Sequence, residues 1–256
     1  KQDVKRYEYG DVLWEKRKRK GMTQFEARKL MRERNYYGSM MVEMGDADAL
    51  ISGISRNYRS TIKPAIEVIG KEDGVNKVIG MYIIRTKKGT LFLADTTINM
   101  NPTAEEIAEI SVLIAKSVKQ FRIKPRLALL SYSNFGSTRT DDSAKMAKAA
   151  EIIRKDYPDL VVDGEIQADF ALDAEKTERI FPFSPFAEES ANTLIFPNLE
   201  SGNIAYKLMR EVAEVDSIGP VLVGMKKSVH ILQLGCTVRE IINMVTLSVV
   251  DAQIKK

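Results

Sequence analysis

Apolar residues recur along the chain with two periods, and the alternation between them lays out the elements. Thr23 to Met31 opens with Thr23-x-x-Glu26, a capping box in which each side chain satisfies a backbone N–H. Ala27, Leu30 and Met31 follow at helical spacing. Met40 to Met44 leads to a turn at Gly45-Asp46, and Ala49 to Ser52 then reads as a strand ending in Gly53. A glycine between strand and helix is a usual place for backbone to approach a ligand. Lys63-Pro64 to Ile69 predicts the first turns of another helix, because proline suits the first helical position.

In the middle, Val78 to Ile84 and Thr90 to Thr96 flank Thr86-Lys87-Lys88-Gly89 and predict a hairpin. Thr103-x-x-Glu106 is a second capping box, and Ile107, Ile110, Ile114, Val118 and Phe121 form one apolar stripe of the helix it opens. Arg126 to Leu130 reads as a buried strand running into the polar loop Ser131 to Ser137. A helix over Ser143 to Asp156 is stopped by Tyr157-Pro158. Strands at Leu160 to Val162 and Thr193 to Phe196 follow, then a helix with Ile204, Leu208 and Val212 on one face. Pro220 to Gly224 is a strand and Thr237 to Asp251 the last helix. Strands alternating with helices predict a parallel α/β sheet covered on both faces.

Composition narrows the class without naming a function. With 256 residues, 44% hydrophobic and 29% charged, the chain suits one large domain or two moderate ones. Its single cysteine, Cys236, excludes an intrachain disulfide framework and fits a reducing, cytoplasmic compartment. Apolar runs such as Ile218 to Met225 fall short of the ~20 residues a membrane span needs, and no apolar stretch follows the charged start as in a secretory signal. No initiator methionine is present, so a longer protein is expected. The net charge of +4 mildly favours anionic partners. Lys16-Arg17-Lys18-Arg19-Lys20 reads first as a solvated helix end and second as a small-anion site; no aromatic interleaving points to nucleic acid.

Four ordered segments carry something more specific. They are Ala128 to Ser137 (Ala-Leu-Leu-Ser-Tyr-Ser-Asn-Phe-Gly-Ser), Val161 to Asp169 (Val-Val-Asp-Gly-Glu-Ile-Gln-Ala-Asp), Ala191 to Lys207, which includes Phe196-Pro197-Asn198-Leu199-Glu200-Ser201-Gly202, and Ile218-Gly219-Pro220 through Gly235-Cys236. In this order they resemble the phosphate acetyl/butyryltransferase family, over essentially the whole chain. The resemblance is strongest to the branch fused to bacterial malic enzymes. Ser55-Arg56-Asn57-Tyr58 with Ile62 to Gly70, Pro197-Asn198-Leu199, and Val249-Val250-Asp251-Ala252-Gln253 carry that part.

The resemblance implies an α/β fold of two three-layer αβα subdomains with a cleft between them, isocitrate/isopropylmalate dehydrogenase-like. Residues 1–75 plus 226–256 would form the first subdomain, lacking its opening segment, and 76–225 the second. It implies acyl transfer between coenzyme A and phosphate, homo-oligomers formed through the second subdomain, and a malic-enzyme domain N-terminal in the same chain. The apolar Ile107-to-Phe121 region suits the oligomer contact. Acetyl-CoA or CoA is the expected ligand, with phosphate as a second. No cofactor or metal is expected on this portion, NADP and a divalent metal belonging to the malic-enzyme domain. Neither metal-ligand spacing nor a dinucleotide glycine fingerprint is found.

Residue by residue, the family's Ser-Arg pair before Gly-Cys falls on Gln233 and Leu234, and its Asp on Glu240. Leu234 donates nothing and carries no charge. Glu240 suits a base, yet Thr237-x-x-Glu240 also reads as a capping box. A family arginine falls on Glu211, beside Arg210. Arg17 matches a family cleft arginine and Lys63 replaces another, keeping charge but losing the planar fork. Ser131, Ser133, Gly136 and Ser137 form the ligand-facing loop of the family or plain turn chemistry. Asn99 and Asn101 resemble a family loop. His230 reads as structural, and Cys236 as a buried small residue.

Three readings stay open: an acyl-CoA-binding regulatory domain of a malic enzyme with impaired transfer chemistry, an active phosphate acetyl/butyryltransferase, and a purely structural oligomerisation domain.

Overall fold

The computed structural model describes residues 4–55, 58–213 and 215–255, with the side chain of Arg59 left aside. Two compact units divide the chain: Lys1–Asn76 with Gly224–Lys256, and Lys77–Val223. The first begins with α1 (Val4–Arg17), continued by a 3₁₀ turn over Lys18–Lys20, then α2 (Gln24–Leu30) and α3 (Arg34–Met44). Thr23 and Glu26 form the reciprocal cap of α2. Next come β1 (Ala49–Ser52) and α4 (Tyr58–Val68). Pro64 lies inside α4 and not at its first position. Burial of Thr61, Ile62, Ala65, Val68 and Ile69 along one face explains why the helix begins before its proline: packing overrides the positional preference. Of the Ser55-Arg56-Asn57-Tyr58 segment, Arg56 and Asn57 lie outside the described residues.

The second unit opens with the antiparallel hairpin β2 (Ile79–Thr86) and β3 (Gly89–Ala94). It continues through α5 (Ala104–Gln120), β4 (Arg126–Leu130), α6 (Asp141–Asp156), β5 (Val161–Ile166), α7 (Ala168–Ala171) and α8 (Ala174–Ile180). After these come β6 (Thr193–Ile195), α9 (Leu199–Ala213) and β7 (Asp216–Val223). The strand order is β5-β4-β6-β3-β2-β7. The first four run parallel, but β2 lies antiparallel to both β3 and β7. The sheet is therefore mixed: the expected hairpin is present, and the parallel expectation holds for β5, β4, β6 and β3 only. A connection as short as Lys87-Lys88 can only turn the chain straight back.

Inside this unit, Tyr82, Ile84, Leu93, Ala128, Ile166, Phe186, Leu194 and Tyr206 share one core cluster, with the Tyr82 and Tyr206 rings stacked at 3.6 Å. Each large apolar side chain so buried stabilises the fold by roughly 1.5–3 kcal/mol. Ile107, Ile110, Ile114 and Val118 are at most 1% exposed within their own unit. These positions of the α5 stripe are thus core, which corrects their expected use as an oligomer contact; Phe121, at its end, is 39% exposed. Within this unit an exposed apolar stripe lies on α9, at Ile204, Leu208 and Val212.

The chain then returns to the first unit as β8 (Ser228–Ile231) and α10 (Val238–Ile254). β1 and β8 pair in parallel from Ala49↔Ser228 to Ser52↔Ile231, a two-stranded sheet among the described residues. α3 packs on β1, α4 on β8 and α10 on both. Gly53 has φ 113°, and a Cβ there would lie 2.3 Å from the Leu232 carbonyl oxygen. What approaches Gly53 is the chain's own backbone, held by Leu232 N–H donating to Ser52 O at 2.7 Å. The ligand-approach reading of this glycine is corrected accordingly. Among the described residues no helix is long and apolar enough to cross a membrane.

Candidate functional site

A recess of about 600 Å³ opens in the first unit between the end of α1, α2, the start of α3 and α4. Arg17, Lys20, Lys29, Arg32 and Lys63 line it, against the carboxylates of Glu26, Glu33 and Glu67. Arg17 closes α1, so the helix delivers its guanidinium at a fixed point. One terminal nitrogen stands 3.4 Å from Glu67 Oε1, and Lys63 Nζ, one turn earlier on α4, lies 3.9 Å from the same oxygen. Tyr36 donates its hydroxyl to Glu67 Oε2. Burial, and then the Glu67 carboxylate, push the Tyr36 phenol far above its ordinary range, so it stays a donor.

Arg17 and Glu67 side chains are 21% and 17% exposed, Lys63 69%. The buried Nε of Arg17 faces no acceptor among the described residues. Lys20 and Arg32 meet none there either, whereas Lys29 sits close enough to Glu26 to help hold that carboxylate ionised. Cations left unpaired around a concavity attract an anion with several oxygens, and the guanidinium adds directional donors. The basic run is split by this arrangement. Arg17 and Lys20 line the recess, Lys16 pairs with Glu43, and Lys18 sits 2.5 Å from Glu15 and over the Trp14 ring.

Between β8 and α10, Gln233 to Cys236 form a loop closed by Cys236 N–H donating to Gln233 O. Leu234 is 65% exposed. Glu240 Oε2 accepts from both the backbone N–H and the hydroxyl of Thr237, while Glu240 N–H donates to Thr237 Oγ1. This is the helix cap that the spacing allows, and it occupies the carboxylate otherwise read as a base. Burial first, and the Glu240 charge second, raise the Cys236 thiol above its usual range.

In the second unit, the loop Ser131–Ser137 follows β4. Glu165, 3% exposed on β5, organises it: Ser133 Oγ donates to Glu165 Oε1 at 3.0 Å and Gly136 N–H at 2.5 Å. Phe135 N–H reaches Glu165 O at 2.9 Å. Phe135 and Gly136 both take positive φ, 50° and 86°, which the glycine adopts freely. Ser133 is fully buried and accepts from Thr138 N–H, and its oxygen lies 3.2 Å from Ser137 Oγ. Ser137 Oγ accepts from Asn134 N–H, and Ser131 Oγ accepts from Ser133 N–H. A serine hydroxyl has one proton to give. Ser133 and Gly136 have given theirs to Glu165, and Ser137 is best placed to give its own to Ser133. Of the four residues, Ser131 keeps an uncommitted O–H.

The remaining candidates divide between surface and framework. Asn101 is exposed and accepts from Lys145 at 3.0 Å. Asn99 is tied to Asp95, a buried carboxylate that accepts from the N–H groups of Gly80, Thr97, Ile98 and Asn99. Desolvation nevertheless makes the Asp95 carboxyl hold its proton more tightly than an ordinary aspartate does. Arg210 pairs with Glu211 at 3.5 Å. His230 is fully buried, its Nε2 3.3 Å from Asp251 Oδ2 on α10, a partner that no local spacing announced. Burial lowers its proton affinity, so the neutral imidazole is held there. Sequence reasoning passed over Glu67, Tyr36, Lys29, Arg32 and Glu165. Glu67 alone had a local signal, its i+4 spacing from Lys63.

Comparison with known proteins follows these observations closely. The sequence profile described as phosphate acetyl/butaryl transferase matches residues 1–249. An NADP-dependent malic enzyme of Escherichia coli is 42% identical over 249 residues, covering 96% of this chain and 32% of its own length. The chain thus spans about a third of the malic enzymes it matches. A phosphate acetyltransferase of Bacillus subtilis is 36% identical over 238 residues, with 93% and 73% covered. Among solved structures, EutD phosphotransacetylase from Staphylococcus aureus superposes with a TM-score of 0.86 at 31% identity, over 100% of this chain and 77% of that one.

Proposed function

Because this chain belongs to the phosphate acetyl/butaryl transferase family, we propose that it serves a malic enzyme as an acyl-CoA-binding regulatory domain whose own transfer chemistry is impaired. The observation that carries the reading is the loop before α10. Transfer requires the CoA sulfur to attack the acetyl-phosphate carbonyl, the thiol proton to leave, and the carbon–oxygen bond to phosphate to break. The departing phosphate then needs a cation and the carbonyl oxygen a donor. Leu234, exposed where the family resemblance puts an arginine, supplies neither, and Glu240 is engaged as a cap. The recess cations, Arg17 above all, remain to hold phosphate groups of the ligand.

The same reading includes a malic-enzyme domain in the same polypeptide, where NADP and a divalent metal act, and a cytoplasmic setting. It also includes a homo-oligomer, for which the α9 stripe is an exposed apolar face of the second unit. The second reading is an active phosphate acetyl/butyryltransferase, favoured by the cations that persist in the recess.

The test uses the full-length protein: acetyl-CoA formation from acetyl phosphate and CoA, beside calorimetric binding of acetyl-CoA. Binding with turnover near background supports the reading, and robust turnover overturns it. Restoring the pair with Gln233→Ser and Leu234→Arg raises turnover by about tenfold to a hundredfold, since one charge-assisted donor is worth ~1.5–3 kcal/mol.

A further inference from the structure

Glu67 occupies the position an incoming anion must take. Its Oε1 lies nearest both Arg17 and Lys63, the two cations assigned above to the ligand. Its grip on them is loose. At 3.4 and 3.9 Å these contacts are longer than the ~2.7–2.9 Å of a formed charge-assisted bond. The tight contact is the one from Tyr36 to Oε2. The carboxylate is therefore anchored by a neutral phenol on α3 and only leans toward the cations. Arg17 meanwhile leaves its buried Nε without an acceptor among the described residues, so the planar fork is half used.

We propose that Glu67 is an internal competitor that sets the threshold an anion must exceed to occupy the recess. With no ligand it screens Arg17 and Lys63 from each other. A ligand gains the fork of Arg17 only by out-competing a carboxylate already present. A monoanionic carboxylate offers the cations little that Glu67 does not. A dianionic phosphate offers more charge and a third oxygen, and Lys20 and Arg32, with no acceptor among the described residues, add to its gain. A small carboxylate thereby falls short of a threshold that a phosphate ester passes. This inference rests on the reading of the recess as the anion site.

The experiment titrates inorganic phosphate and, separately, acetate into the full-length protein and its variants by calorimetry. Glu67→Gln is expected to bind phosphate about threefold to tenfold tighter, the range of a partly exposed charge interaction. Phosphate, carrying the larger charge, should gain at least as much as acetate, which stays the weaker ligand. Glu26→Gln removes the same charge from the recess wall while keeping a residue that suits the α2 cap, and should gain less than about twofold. Equal gains for the two glutamine variants, or none for Glu67→Gln, overturn the proposal. Should Glu67→Gln fold poorly, Tyr36→Phe tests the same point in the opposite direction. Freed from its anchor, Glu67 settles on Arg17 and phosphate binding weakens by about twofold to fivefold; unchanged or tighter binding contradicts the proposal. Arg17→Ala separates the two levels of argument. If it loses phosphate while Glu67→Gln gains nothing, the recess reading stands and the competitor falls. If Arg17→Ala binds phosphate as the wild type does, the recess reading fails and takes the competitor with it.

Discussion

In the recess of the first unit Arg17 keeps a buried nitrogen without an acceptor among the described residues, whereas in the serine loop of the second unit Glu165 and its neighbours leave almost no donor over. Both segments lie in the part of the chain matched by the same family. One presents charge to a concavity; the other closes its hydroxyls and backbone on itself. Family likeness therefore marks positions under constraint without saying whether the constraint is a ligand or the fold. The count of donors and acceptors at each position separates the two cases.

The strongest way to break this contrast is at Glu165. Glu165→Ala leaves the buried Ser133 hydroxyl without its carboxylate, worth about 1–3 kcal/mol, opens a void, and takes the acceptor from the exposed Gly136 N–H. Chemical denaturation should show a loss of about 2–4 kcal/mol. A loss below about 1 kcal/mol would mean that the loop is held by something else.

Acid sharpens the comparison from the side of the first unit. His230 is held neutral in the folded state by burial, while in the unfolded chain it protonates near its ordinary value of 6.5. The unfolded state then binds more protons, so stability is intact above that value and falls as pH drops below it. The slope is at most about 1.4 kcal/mol per pH unit for one such group. His230→Gln should flatten the pH 7 to 5 limb of the unfolding curve, and an unchanged limb would remove His230 from this role. Asp251 is desolvated, yet His230 and Lys255 outweigh that and lower its pKa, so it adds a further loss only as pH falls through and below the ordinary aspartate value.

The smallest effect separates cap from base at Glu240. Glu240→Gln preserves the reciprocal cap and should change stability by less than about 0.5 kcal/mol, while Glu240→Ala costs about 1 kcal/mol. If Glu240→Gln instead abolishes a measurable transferase rate at unchanged stability, the carboxylate is acting as a base.

Much of the fold was legible because local chemistry set it. The capping boxes at Thr23, Thr103 and Thr237 and the hairpin at Lys87-Lys88 all depend on neighbours three or four residues away. Where distant burial decided, the reading failed. Pro64 sits inside α4 because the face around it is buried, and the α5 stripe serves its own core. The site was legible in the same proportion. Arg17 and Lys63 were named, but the carboxylate they share and the phenol that anchors it come from positions that only the folded chain brings together. The same holds for Glu165 and the loop after β4, separated by some thirty residues of sequence.

The most direct test of the contrast is calorimetric titration of acetyl-CoA into two variants of the full-length protein, Arg17→Ala and Ser137→Ala. Arg17→Ala should weaken binding by about fivefold or more, through loss of a partly buried cation, and Ser137→Ala by less than about twofold, its hydroxyl being engaged within the loop. Weakening confined to Ser137→Ala, with Arg17→Ala binding like the wild type, would contradict the account.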